Sequence, residues 1–135
     1  MYNTVLVPVE PSQVATHQKA IEMATALSAP DARLIAITVI EPVPGYFAAP
    51  NDLPDMQMAA SKKSLHALEE LVGNDKIETK VLHGQAATEI LSFSENEGVD
   101  CIVIASHQPG FADYFLGSTA ARVVRHAHCS VHVMR

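Results

Sequence analysis

The chain has no tryptophan, and aromatic residues make up only 5% of its 135 positions, so its interior must be built mainly from aliphatic side chains. Cysteine is nearly absent as well. Cys101 lies within an apolar run and Cys129 follows a helical pattern, no CxxC pair exists, and no disulfide framework is expected. His126, His128 and Cys129 stand too close along the chain to converge on one ion, and their spacing matches no zinc pattern. The cluster reads as a helix end whose cations suit the dipole. Positive charge is scarce, with 9 Lys and Arg against 15 Asp and Glu. A net charge of -6 argues against nucleic-acid binding, which needs a basic surface to neutralise phosphates. No segment has the apolar length of a membrane span, and MYNTVLVPVE has no basic region followed by a long apolar run. A cytoplasmic protein without membrane contact is therefore expected.

Three nucleotide and hydrolase signatures are also missing. There is no GxxxxGK[ST] phosphate loop with its lysine, no GxGxxG after the first strand, and no GxSxG nucleophile elbow. Ser106 and His107 are adjacent, which at a strand end points their side chains apart, so they make a poor nucleophile and base pair.

What is present is an alternation of strand and helix. With 48% apolar and 18% charged residues the composition is that of a packed globule, and the length predicts a single domain over 1–135. Strand-like runs occur at TVLVPV (4–9), RLIAITVI (33–40), IETKVLH (77–83), DCIVIAS (100–106) and SVHVMR (130–135). Three are almost continuously apolar, as strands covered on both faces must be. IETKVLH alternates and SVHVMR partly alternates, as edge strands do. Four helical patterns separate them. The first runs from a Ser12 cap to Leu27, with Ala20, Met23, Ala24 and Leu27 on one face. The second spans Asp55 to Val72, burying Leu65, Leu68 and Val72. The third, Ala86 to Gly98, uses Ala87, Ile90, Leu91 and Ser94, and the fourth begins at Ser118 with Ala120, Val123, Val124 and Ala127. Repeated crossovers of this kind give an α/β fold, a doubly wound five-stranded parallel sheet covered by helices. Residues 41–55, with four prolines and a glycine, read as a loop.

In such sheets ligands bind beyond the carboxyl ends of the strands, where strand order reverses. Those ends supply Pro8, Val9 and Glu10, then Val39, then Gly84, then Ala105, Ser106, His107 and Gln108. If the first and fourth strands are neighbours, Glu10 and Ser106 flank one crevice. Gly117, Ser118 and Thr119 stand at a helix start, where backbone N–H groups and the dipole favour an anion, so a phosphate is the expected guest. Two plainer readings compete: Ser118 as an ordinary helix cap, and Gly84 as a residue that permits a tight turn.

The segments TVLVPVEPS, LIAITVIEP and HGQAATEIL, with DCIVIASHQPG followed by LGSTAARVVRHAHCSVHVMR, resemble the universal stress protein family over essentially the whole chain. Nucleotide-binding members of that family carry G-x2-G-x9-G-[ST]. Here Ala105 and Gln108 replace the first two glycines, the spacer before Gly117 is one residue short, and Glu10 replaces the usual aspartate. The form is similar to a subgroup with Asn or Gln at the second position, followed by proline, that retains nucleotide binding.

The resemblance implies an adenine nucleotide alpha hydrolase-like fold with strand order 3-2-1-4-5, and ATP as ligand. It places adenine near Val39 and Pro8, ribose near Gly84, and phosphates across Ser106, His107, Gln108, Gly117, Ser118 and Thr119. Gly110 amides would assist and Val131 would add backbone contacts. Glu10 would hold Mg²⁺ or a water on it. His107 would donate to a phosphate oxygen or face solvent.

The implied role is stress response or signalling by a dimeric binding protein, with slow ATP hydrolysis at most, because the loop has no lysine or arginine to stabilise a transferring phosphoryl group. The homodimer would form through the C-terminal strand 130–135, whose bare edge would otherwise expose backbone groups. The alternative is a member that has lost nucleotide and acts as an interaction module. A true phosphatase or ATPase ranks below both.

Overall fold

A run such as Val5-Leu6-Val7 can be accommodated only where both faces of a strand are covered, and these side chains are 0 to 2% exposed. They form the middle of β1 (Tyr2–Pro8), the central strand of the computed structural model, which describes residues 1–11, 13–42, 53–106 and 116–135. The order along the chain is β1, α1 (Val14–Leu27), β2 (Ser28–Ile40), α2 (Leu53–Val72), β3 (Glu78–His83), α3 (Ala86–Asn96), β4 (Cys101–Ala105), α4 (Ser118–His126) and β5 (Ser130–Met134). All neighbouring strands are parallel, in the order β3-β2-β1-β4-β5. The two alternating runs are the two edges, as their patterns required.

Successive residues of a strand face opposite ways, so the sheet divides the core in two. Leu6, Ile37 and Ile102 pack with Ile90 and Phe93 of α3 and Val123 of α4. Val5, Val7 and Val103 pack on the other face with Ala20 and Ala24 of α1 and Leu68 of α2. Helices α1 and α2 therefore cover one face and α3 and α4 the other. The change of face falls between β1 and β4, which pair through Val5 with Cys101 and Leu6 with Ile102.

Asp100 ties the amino end of this seam: its carboxylate accepts from the Asn3 and Thr4 amides at 2.8 and 3.0 Å. Arg33 on β2 spans Glu78 and Glu97, at 2.5 and 3.0 Å, which draws its own pKa upward and that of Glu78 downward. Cys101 and Cys129 are free thiols, and burial pushes Cys101 up to about 11, so it stays protonated. Among the described residues no helix is long and apolar enough to cross a membrane.

Several boundaries differ from the sequence expectation. Strand β2 begins at Ser28 instead of Arg33, because Ser28 already pairs with Tyr2; the register then jumps so that Thr4 pairs with Arg33. Pro30, which has no N–H to give the ladder, falls inside that irregularity. Helix α2 begins at Leu53, inside the stretch read as loop, since Pro54 is compatible with a first helical turn and Asp55 suits its dipole. Helix α3 ends at Asn96, two residues before Gly98, whose φ of 64° makes it the left-handed residue just past the helix. On α3 Phe93 is buried where the pattern singled out Leu91, and on α4 Val124 is 45% exposed although the apolar pattern included it. Ser12, the expected cap of α1, lies outside the described residues; the helix starts after Gln13, which makes no side-chain cap bond.

Candidate functional site

At the carboxyl ends of β1 and β4 the chain opens into a cleft of about 250 Å³. Pro8, Val9 and Glu10 enter it from β1, Val39 from β2, and Ala105 and Ser106 from β4. Gly117, Ser118 and Thr119 enter from the start of α4. Nine of the sequence-selected residues thus meet at one place, at the reversal of strand order. Gly84 and Val131 are not in this lining. Gly84 closes the β3 to α3 turn: its amide donates to Ile40 at 3.0 Å, its φ is 145°, and an added Cβ would lie 2.6 Å from the Glu89 side chain. Val131 sits early in β5, opposite Ile102, and packs into the core rather than toward the carboxyl edge. His107, Gln108 and Gly110 lie outside the described residues.

The α4 wall answers the question that Ser118 poses. The residue before the helix is Gly117, with φ of -56° and no side-chain cap, and Ser118 is already the first helical residue. The first intrahelical bond runs from the Ala121 amide to the Gly117 carbonyl at 2.8 Å. The amides of Ser118, Thr119 and Ala120 therefore have no partner within the helix, and all three residues line the cleft. Ser118 is not the cap, and its position leaves the helix start available to an anion. Gly117 needs no unusual backbone angle, so what its missing side chain provides is room. Ser106 fixes the geometry from below: its hydroxyl accepts from the Gly117 amide at 2.8 Å, and its own amide donates to Met134 at 2.7 Å. Ala105 is ordinary strand, since no described non-glycine residue has positive φ, so alanine in the place of the motif's first glycine carries no backbone strain.

The opposite wall is built by the turn from β1 into α1. Val9 donates to Ile37 at 2.7 Å and accepts from the Thr38 hydroxyl at 2.9 Å, locking the chain end onto β2. The Glu10 carboxylate accepts from the Gln13 side chain at 3.0 Å, and the Glu10 carbonyl from the Gln13 amide at 2.9 Å. The Glu10 amide donates to Nε2 of His17 at 2.9 Å. Glu10 supplies one hard oxygen donor group, which suits Mg²⁺ only in company with phosphate oxygens. Among the described residues no group of three or more His, Cys, Asp or Glu could hold a metal by itself.

His17 was not among the sequence candidates. It is 6% exposed, borders the cleft, and burial lowers its pKa below the usual 6.5. Because Nε2 accepts the Glu10 amide, the single ring proton belongs on Nδ1, and buried Nδ1 has no hydrogen-bond partner among the described residues. A buried donor left unpaired costs on the order of 1–3 kcal/mol. Gln13, Ile37, Ala86, Ile90, Ile104 and Ala120 complete the lining and were also missed. They are core or turn residues whose sequence pattern reports burial alone. At the other end of α4, Arg125 and His126 occupy the last turn, the favourable end of the dipole for cations.

A parallel α/β sheet with open helix-start amides at its switch point defines a class of small anion-binding and nucleotide-binding folds. Within that class the assignment is specific: the model of the Universal stress protein family matches residues 1–135, and the chain belongs to that family. The chain is 30% identical over its whole length to universal stress protein MJ0531 of Methanocaldococcus jannaschii, covering 83% of that protein. It is 28% identical to universal stress protein G of Escherichia coli O157:H7, with both chains covered completely.

Among solved structures, hypothetical protein MJ0577 matches with a TM-score of 0.76 at 21% identity, over 99% of this chain and 96% of the other. A universal stress protein in complex with cAMP matches at 0.66 and 20%, over 99% and 97%. A family protein from Arabidopsis thaliana with AMP bound matches at 0.68 and 22%, over 98% and 90%. At these identities the structures establish the shared fold.

Proposed function

We propose that this protein binds an adenine nucleotide, ATP foremost, in the cleft between the amino ends of α1 and α4, and acts in the cytoplasm as a dimeric stress-response binding protein. The observation that carries this reading is the start of α4, which has no side-chain cap at Gly117 and whose first three helical residues line the cleft with no Lys or Arg among the described lining residues. Relatives of the same fold described with cAMP, AMP and dAMP support adenine as the base. Phosphates would lie against Gly117, Ser118 and Thr119. Adenine would lie toward Pro8 and Val39, and Glu10 would contribute a carboxylate to a phosphate-bound Mg²⁺. Hydrolysis would be slow at most: the described lining contains no Lys or Arg to stabilise a transferring phosphoryl group.

Isothermal titration with ATP, with and without Mg²⁺, tests the reading. Saturable binding at or below millimolar concentration is expected. The absence of both heat and thermal stabilisation at several millimolar would overturn it and leave the alternative of a nucleotide-free interaction module. A monomer or dimer assignment follows from light scattering on the same sample.

A further inference from the structure

Resting on that reading, we propose that Gln13 is a positioning residue of the cleft: it fixes the Glu10 carboxylate in one orientation and so sets how strongly Mg²⁺ enhances nucleotide binding. The Gln13 side-chain amide donates to Oε2 of Glu10 at 3.0 Å, and both residues line the cleft. Among the described residues no hydrogen bond reaches Oε1, so one carboxylate oxygen is held and the other is left for a hard cation. Gln13 stands at the N-cap position of α1, yet its side chain makes no cap bond; its amide is directed to Glu10 instead of to the helix.

The main chain beneath the carboxylate is already fixed on both sides. The Glu10 carbonyl accepts from the Gln13 amide at 2.9 Å, and the Glu10 amide donates to Nε2 of buried His17 at 2.9 Å. What freedom remains to Glu10 lies in its side chain, and glutamate is among the residues that lose most rotamer entropy on ordering. A carboxylate ordered before the ligand arrives spares the complex that loss. The donor is also neutral. It orients the carboxylate without cancelling its charge, as a lysine at position 13 would.

Titration calorimetry with ATP, in the presence and absence of Mg²⁺, gives for each protein a ratio of affinities that isolates the cation's contribution. In Gln13→Ala this ratio should fall roughly tenfold, the lower end of what the loss of an outer-shell partner costs a metal site. Glu10→Ala should lower the ratio at least as far, and Gln13→Ala added to Glu10→Ala should lower it no further. A role of Gln13 in the fold alone would act in both backgrounds alike. The bond itself is read without ligand or metal: in the ligand-free protein the Gln13 side-chain amide protons should move upfield in Glu10→Ala.

An unchanged ratio in Gln13→Ala, a further drop in the double variant, or unmoved Gln13 side-chain protons would each overturn the assignment while leaving nucleotide binding standing. So would a wild type that binds ATP equally well with and without Mg²⁺. A wild type that does not bind ATP under either condition would bring down both.

Discussion

His17 shows how one buried side chain links stability and pH. Its pKa lies below the usual 6.5 because burial disfavours the cation, and its Nε2 is committed to a backbone amide. The unfolded chain therefore takes up a proton, as pH falls below about 6.5, that the folded chain resists, and stability rises with pH across that window. The contribution is complete above about pH 6.5 and is lost on acidification toward the lower folded value. Urea denaturation of the wild type at about pH 7.5 and 5.5 should show a lower midpoint at the acid end. In His17→Gln the decrease should be smaller, and an equal decrease in both proteins would contradict this account of His17. This residue was invisible in the sequence for a physical reason. Its partner is an amide seven positions earlier across a turn, and nothing in THQKA distinguishes a buried acceptor from an exposed helical histidine.

At the level of single elements, α4 carries the argument, because an uncapped helix start gives up local stability to keep its amides open. Gly117→Asp should reveal the trade. Aspartate at that position can cap the first turn and suits the dipole, so the fold should gain a few tenths of a kcal/mol or hold steady. The same carboxylate would occupy the place of a phosphate, and ATP affinity should fall at least tenfold in calorimetry. Unchanged affinity would mean that the phosphates lie elsewhere.

This element was largely legible beforehand. LGST at the head of an amphipathic run marked the helix and the place where it starts. Whether Ser118 capped the helix or sat inside it could not be read, because that depends on Ser106 holding the Gly117 amide from another strand. Strand β2 was legible in its apolar half only, since Ser28 pairs with Tyr2 ahead of a break at Pro30 that has no hydrophobic pattern.

Across the whole molecule, the alternating runs marked the two edges and the continuously apolar runs the centre, while the full strand order was what the family resemblance implied. The open edge of β5 then bears on assembly. Ser130 donates to Asp100 and Met134 accepts from Ser106, so in a parallel ladder the backbone groups of Val131 and Val133 face away from β4. Val124, 45% exposed on α4, adds apolar surface on the helix that packs against β5. A two-fold pairing of β5 edges would satisfy these groups. The protein should scatter light as a dimer at micromolar concentration, and Val133→Pro, which removes an outward N–H, should yield a folded monomer. A wild-type monomer would contradict this.

The central claim is that main-chain amides at the start of α4 hold the phosphates without a cationic side chain, and amide-resolved NMR during ATP titration tests it most directly. The account predicts that Ser118 and Thr119 amide resonances shift the most and saturate with the calorimetric affinity. Saturable binding that leaves both resonances unmoved would contradict it.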